Sequence, residues 1–141
     1  MKILLTGFEP FDGRVTNSSW QMLSRIATES FAVEKLEIPV SYEGAWASIS
    51  GRANDFDAIV SVGESGKAKC LEFEWFAANI QDSSLPDNSG EVLRHESISS
   101  EDVVGLRSLR DSLALREFFK QHPEWAMSYS AGTYVCNRLF F

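Results

Sequence analysis

Three short apolar runs, separated by two stretches of helical spacing, restrict what this chain can fold into. The first, residues 2–6, carries Ile3-Leu4-Leu5 and stops at Gly7. The second, 32–40, carries Val33, Leu36, Ile38 and Val40, and the third, 56–62, carries Ala58-Ile59-Val60. Between the first two lies 17–28, where Ser18-x-x-Gln21 has the form of a capping box. Trp20, Leu23 and Ala27 then share one face, with Ile26 at its margin. Between the second and third, Ser41 can cap a helix from Tyr42 to about Ala53, although Gly44 and Gly51 weaken it. This β–α–β–α–β order predicts right-handed crossovers and a largely parallel sheet, with the third strand covered on both faces. Ligands of such sheets bind beyond the carboxyl ends of the strands.

Three loops are expected at that end. The segment Gly7 to Gly13 holds Phe8 and Phe11, which either plug the sheet end or form an apolar wall for a small ligand. It is not a phosphate loop, because its glycine spacing is one residue too long and no Gly-Lys-Ser/Thr follows. The third strand ends in Gly63-Glu64-Ser65-Gly66. Near the end of the sequence, an apolar strand over 125–129 runs into Ser130-Ala131-Gly132, and a helix begins with Cys136 in its opening turns. A helix N-terminus favours thiolate, the reactive form of Cys. The arrangement is similar in logic to the serine elbow of the α/β hydrolases. The competing reading is a buried Cys that packs as a small hydrophobe. Convergence of three loops at one sheet end favours function.

The remaining segments frame these loops. Residues 70–80 alternate as one strand, with Leu71, Phe73 and Trp75 on one face and Glu72, Glu74 and Phe76 on the other. Two carboxylates on such a strand usually mark a solvated face. Residues 81–102 are polar, with a strong turn signal at Leu85-Pro86-Asp87-Asn88-Ser89-Gly90, and are expected to be mobile or insertion-tolerant. A last full helix is expected from Leu109 to His122, capped by Ser108 and stopped by Pro123. His122 there complements the helix dipole.

Composition removes several classes of function. The 141 residues suffice for a single domain, 1–141, with a real core. A formal charge of −7 argues against general nucleic-acid binding. Met1-Lys2 precedes only three apolar residues, too few for a signal-peptide core, and no run reaches transmembrane length. The expected setting is cytoplasmic and reducing, with Cys70 and Cys136 as free thiols and no membrane partner. Two cysteines, with His95 and His122 lacking ligand spacing, make no structural zinc site.

Several separated segments together resemble the pyroglutamyl peptidase I (pyrrolidone-carboxylate peptidase) family. They are Thr6-Gly7-Phe8-Glu9-Pro10-Phe11 with Asn17-Ser18-Ser19-Trp20, Val62-Gly63, Glu74 through Ala77 with Asn79, Leu85 through Gly90, and Ser130-Ala131-Gly132-Thr133-Tyr134-Val135-Cys136-Asn137. The resemblance implies a three-layer α/β/α sandwich with a mixed, mostly parallel central sheet, of the phosphorylase/hydrolase-like kind. It implies a cysteine peptidase that removes N-terminal pyroglutamate from peptides and needs no metal or cofactor. Cys136 matches the family's nucleophile and Glu74 its acidic residue. Phe8 and Phe11 match the aromatic residues that sandwich the lactam ring, and Asn17 a polar residue supporting that loop. Glu64 stands where some members have a neutral residue near the lactam, so its carboxylate is expected to point away.

The family's catalytic His lies well downstream of the Cys, and neither His95 nor His122 fits that place. Leu139-Phe140-Phe141 reads as a naked apolar end of a barely begun helix. The expectation is a C-terminally truncated family member. Three functions follow: a peptidase with Cys136 as nucleophile; an inactive lactam-binding or oligomerising remnant, with a homo-oligomer as partner; and, on fold analogy alone, a different hydrolase or nucleoside-phosphorylase-like enzyme.

Overall fold

The computed structural model describes residues 1–28, 32–108 and 112–141. They form two compact units, Met1–Glu64 with Ser83–Leu93, and Ser65–Asp82 with Arg94–Phe141. The class is α/β, and strand pairing is mixed but mostly parallel. No helix among the described residues is long and apolar enough to cross a membrane.

In the first unit, strand β1 (Lys2–Phe8) lies between β2 (Ala32–Ile38) and β3 (Ala58–Val62), parallel to both. Leu4 and Thr6 of β1 are completely buried, and Thr6 Oγ1 donates to Ser61 Oγ at 2.9 Å across the β1/β3 pair. Helix α1 (Ser18–Arg25) returns over β1 with Leu23 buried, and α2 (Tyr42–Ser50) buries Ala45 and Ile49. Their spacings of three to four residues set one inward stripe per helix.

Several expected boundaries move. The first strand does not stop at Gly7 but continues to Phe8. Gly7 is instead a contact point, because a Cβ there would lie 3.0 Å from the Cα and N of Trp20, where α1 begins. The cap of α1 is Asn17, whose Oδ1 accepts from Ser19 N at 3.0 Å, and the helix ends at Arg25 rather than Thr28. The backbone turns extended at Ile26, and Lys35 Nζ bonds the Ile26 carbonyl at 2.5 Å. Ser41 caps α2 as expected, through Gly44 N at 3.2 Å, but the helix stops at Ser50. A 3-10 turn, Ala53–Asp55, then leads to β3. That strand is not covered on both faces: it is the edge of its three-stranded sheet and Val60 is 47% exposed.

The polar segment around residue 87 is tied down rather than loose. Asp87 is only 5% exposed. Its carboxylate accepts from Tyr42 N at 2.9 Å, Ser89 N at 2.8 Å, Ser89 Oγ at 2.6 Å and Glu91 N at 2.9 Å. Asn88 N donates to the Val40 carbonyl at 2.8 Å, and its Nδ2 donates to Glu9 Oε1 at 2.7 Å and the Pro10 carbonyl at 2.8 Å. The looseness expected across 81–102 is therefore not found at Asp87 and Asn88, where polar side chains replace backbone ladders as the partners of buried groups.

In the second unit, the expected single strand over 70–80 is two. Strand β4 (Leu71–Glu74) pairs in parallel with β7 (Trp125–Ser128), and β5 (Phe76–Ala78) pairs antiparallel with β6 (Gly105–Arg107). Trp75 is the handover, with its N–H on the Ser128 carbonyl at 2.8 Å and its carbonyl accepting from Ser108 N at 2.9 Å. Helix α3 (Ser112–Gln121) precedes β7; the expected start at Leu109 lies outside the described residues. The chain closes with α4 (Val135–Phe140). Its end is not naked, since Leu139 is 7% exposed and Phe140 and Phe141 are half-buried.

Candidate active site

In the second unit, the parallel β4/β7 register places Glu74 opposite Ser128, each the last residue of its strand. The chain then turns through Ser130-Ala131-Gly132 and enters α4, with Cys136 as its second residue. Gly132 sits at φ +76, the left-handed region that glycine tolerates best. The turn is fastened to the segment after Trp75. Ala131 N donates to the Phe76 carbonyl at 3.0 Å, and Asp82 N donates to the Thr133 carbonyl at 3.0 Å.

Asn137 completes the fastening. It is fully buried, at 0% exposure. Its Oδ1 accepts from Ala78 N at 2.9 Å, while its Nδ2 donates to the Ala78 carbonyl at 2.8 Å and the Ile80 carbonyl at 2.9 Å. Sequence reasoning assigned this residue no role. The available signal was a polar amide between Val135 and Leu139, both buried.

The electrostatics run against the expectation of a thiolate favoured by a helix terminus. Burial first, and then the charge of Glu74, push the Cys136 thiol up to about 11. A six-residue helix supplies too little field to offset the loss of hydration. Burial likewise raises Glu74 above the ordinary carboxylate value; the Ser128 side chain opposes the shift and the charge of Glu72 adds to it. Glu74 Oε2 is buried and has no hydrogen-bond partner among the described residues.

Neither histidine lies between these two groups. His122 follows α3 at the opposite end of β7 from the turn; its ring packs on Phe118 with centroids 4.5 Å apart, and Nδ1 is 3.2 Å from Glu124 Oε1. The His95 side chain is 74% exposed, with Nδ1 3.4 Å from Asp82 Oδ2. Among the described residues no group of three or more His, Cys, Asp or Glu is gathered as a metal site.

The first unit brings Phe8, Phe11, Asn17 and Glu64 into one loop system. Phe8 ends β1 and is 3% exposed, its N–H donating to Ser19 Oγ at 2.9 Å. Asn17 Nδ2 donates to the Glu9 carbonyl at 3.0 Å, bridging the two ends of the loop. Glu64 Oε2 accepts from Ser18 N at 2.7 Å, and its other oxygen is paired with Arg14. The Arg14 guanidinium lies 5.2 Å from the centre of the Phe11 ring. Arg14, Glu9 and Asn88 are loop-holding residues that sequence reasoning missed, because each acts through a partner distant in sequence.

The family model described as pyroglutamyl peptidase matches residues 1–141. A pyrrolidone-carboxylate peptidase of Bacillus subtilis (strain 168) is 31% identical over 146 residues, covering 99% of this chain and 68% of the relative. One of Staphylococcus aureus (strain bovine RF122 / ET3-1) is 30% identical, with coverages of 100% and 69%. The crystal structure of a pyrrolidone carboxyl peptidase from Fervidobacterium islandicum AW-1 matches at TM-score 0.87 and 30% identity, over 100% of this chain and 71% of that one. That from Thermococcus litoralis matches at 0.84 and 27%, with coverages of 98% and 66%. The chain thus spans about two thirds of the length of the relatives it matches.

Proposed function

The chain belongs to the pyroglutamyl peptidase family, and from that premise we propose that it carries the nucleophile half of a cysteine peptidase that removes N-terminal pyroglutamate. Cys136 Sγ attacks the carbonyl carbon that joins pyroglutamate to the next residue. The thiol proton passes through a base to the leaving amine, and the resulting thioester is hydrolysed by water. Glu74 orients that base and balances its charge. Phe8 and Phe11 take the flat faces of the lactam, with Asn17 holding their loop. Glu64, turned to Arg14 and Ser18, serves that loop rather than the lactam carbonyl. We read residues 1–141 as one peptidase domain, since the family model runs through both units without a break. Two free thiols support a cytoplasmic setting.

The observation that carries this reading is a thiol shielded from water and acted on by the charge of a half-buried carboxylate, whose Oε2 is itself buried and without a hydrogen-bond partner among the described residues. An imidazolium beside them would lower both pKa values at once, the thiol's by opposite charge and the carboxylate's by a hydrogen bond. We propose that this imidazole comes from neither His95 nor His122.

A second reading is favoured by one observation. Burial and the charge of Glu74 hold the Cys136 thiol well above its ordinary value, so it stays in its unreactive neutral form at neutral pH. The 141-residue chain is then a lactam-binding or self-associating module without turnover.

The test is hydrolysis of a chromogenic pyroglutamyl amide by the chain and by Cys136→Ala, each with and without added imidazole. The peptidase reading expects turnover that imidazole increases in the parent alone. Equal rates for the two chains under both conditions, with retained lactam binding, select the module.

A further inference from the structure

We propose that Asn137 is a positioning residue that seats the Cys136 thiol, by using its side-chain amide as a substitute strand neighbour for residues 78–80. The inference rests on the assignment of Cys136 as nucleophile, and extends it to what holds the nucleophile in place.

Three hydrogen bonds carry the argument. An amide side chain offers one acceptor oxygen and two donor hydrogens. Asn137 uses all of these on a single stretch of backbone, taking the N–H of Ala78 and giving to the carbonyls of Ala78 and Ile80. This is the pairing that a further strand beside β5 would provide. Complete burial makes each bond expensive to lose, because the freed backbone groups would stand without partners in a dry interior. Few other residues of this size and shape can replace it: Asp lacks the donors, Leu lacks every polar atom, and Gln places its amide one methylene farther out.

The consequence for Cys136 follows from the length of α4. Six residues do not form a stable helix alone, so its placement depends on what it is fastened to. Val135 and Leu139, one turn apart, set which face of α4 turns inward but not its register along the neighbouring backbone. Asn137 supplies that register. With Ala131 on Phe76 and Thr133 on Asp82, the turn and the helix start are both registered against 76–82. Cys136, next to Asn137, is thereby held half-buried, with its thiol turned from water and within reach of the charge of Glu74. Loosening Asn137 admits water to the thiol and lowers its desolvation.

The experiment follows iodoacetamide alkylation of Cys136 in a Cys70→Ser background, since Cys70 is exposed and would react first. Rates are measured from pH 7 to 11 for the parent, Asn137→Ala, Asn137→Asp and Arg138→Ala. Arg138→Ala is the control for a general loosening of α4, as it shortens the neighbouring half-buried side chain and removes its bond to the Ile98 carbonyl. The proposal expects Asn137→Ala to react about tenfold faster at pH 8, with its inflection moved down towards the ordinary thiol range. Arg138→Ala should stay near the parent. An Asn137→Ala chain with the parent's rate and inflection overturns the proposal. Should both Asn137 variants fail to fold, the parent decides. Its Asn137 side-chain amide protons and its Ala78 N–H must exchange at least a hundredfold more slowly than free amides, and free-amide rates would overturn the proposal. Turnover is not read, so these outcomes stand apart from those that test the peptidase assignment.

Discussion

At the level of single residues, the Glu74 carboxyl and the Cys136 thiol set pH effects of the same sign in two windows, each ionisation working against the fold as the pH rises. Cys136 has a folded-state pKa of about 11, above its ordinary value of 9.0, so the folded chain prefers the neutral thiol. Its contribution is fully present below pH 9 and lost as the pH rises to about 11, amounting to at most about 3 kcal/mol. Thermal melts should therefore fall more steeply over that window in the parent than in Cys136→Ala. Glu74 is raised for the same reason, mainly burial, so its ionisation works against folding at neutral pH. Glu74→Gln should melt higher than the parent at pH 7, and the gap should close as the pH falls from the raised folded value to 4.5. Neither effect was legible in the sequence. The Ser130–Asn137 block marked the turn and the Cys, but the register that sets Glu74 opposite Ser128 joins strands on either side of the polar segment.

Among the elements, those with one strong local signal were legible. Strand β7, the Ser41 cap of α2 and the parallel β1 neighbours follow from apolar runs and a capping residue. The break at Trp75 was hidden because period-two alternation continues through it; what changes there is the partner, from β7 to β6. Strand β6, Gly-Leu-Arg, is too short to carry a period. Two substitutions probe how the elements are joined. Gly7→Ala should cost about 1–3 kcal/mol in denaturant unfolding, because the added carbon meets the backbone of Trp20 at 3.0 Å. Asp87→Ala should cost about 3 kcal/mol, since it strands the donors of Tyr42, Ser89 and Glu91. Burial alone would raise Asp87, yet these bonds hold it below the ordinary carboxylate value of 3.8. Its stabilisation is thus present above that value and lost as the pH falls below it.

For the molecule as a whole, neither unit is a continuous piece of chain. Ser83–Leu93 belongs with Met1–Glu64 although Ser65–Asp82 intervenes. A fragment ending at Glu64 keeps all three strands of the β2-β1-β3 sheet but loses Asp87 and Asn88, which serve Tyr42, Val40, Glu9 and Pro10. It should show no cooperative thermal transition, whereas a fragment through Leu93 should recover one. Composition and alternation made the α/β class readable, and the family blocks made the lineage readable. The interleaving was not, since it depends on polar side chains of a turn-rich segment satisfying groups far away in sequence.

The bonds of Asn137 to Ala78 also have a kinetic meaning, because the two residues are 59 positions apart. Closing a loop of that length costs about 4 kcal/mol of chain entropy before any contact rewards it. Contacts of such separation form late. Until they form, the Cys136 thiol stands in water with ordinary reactivity, on a nascent or refolding chain open to oxidants. A short pulse of iodoacetamide should label Cys136 heavily in the first moments of refolding and hardly at all once refolding is complete. Equal labelling at both times would show that the thiol is never sheltered. Oxidative injury to such a chain would be concentrated in its youth, before the last turn of backbone has found its seat.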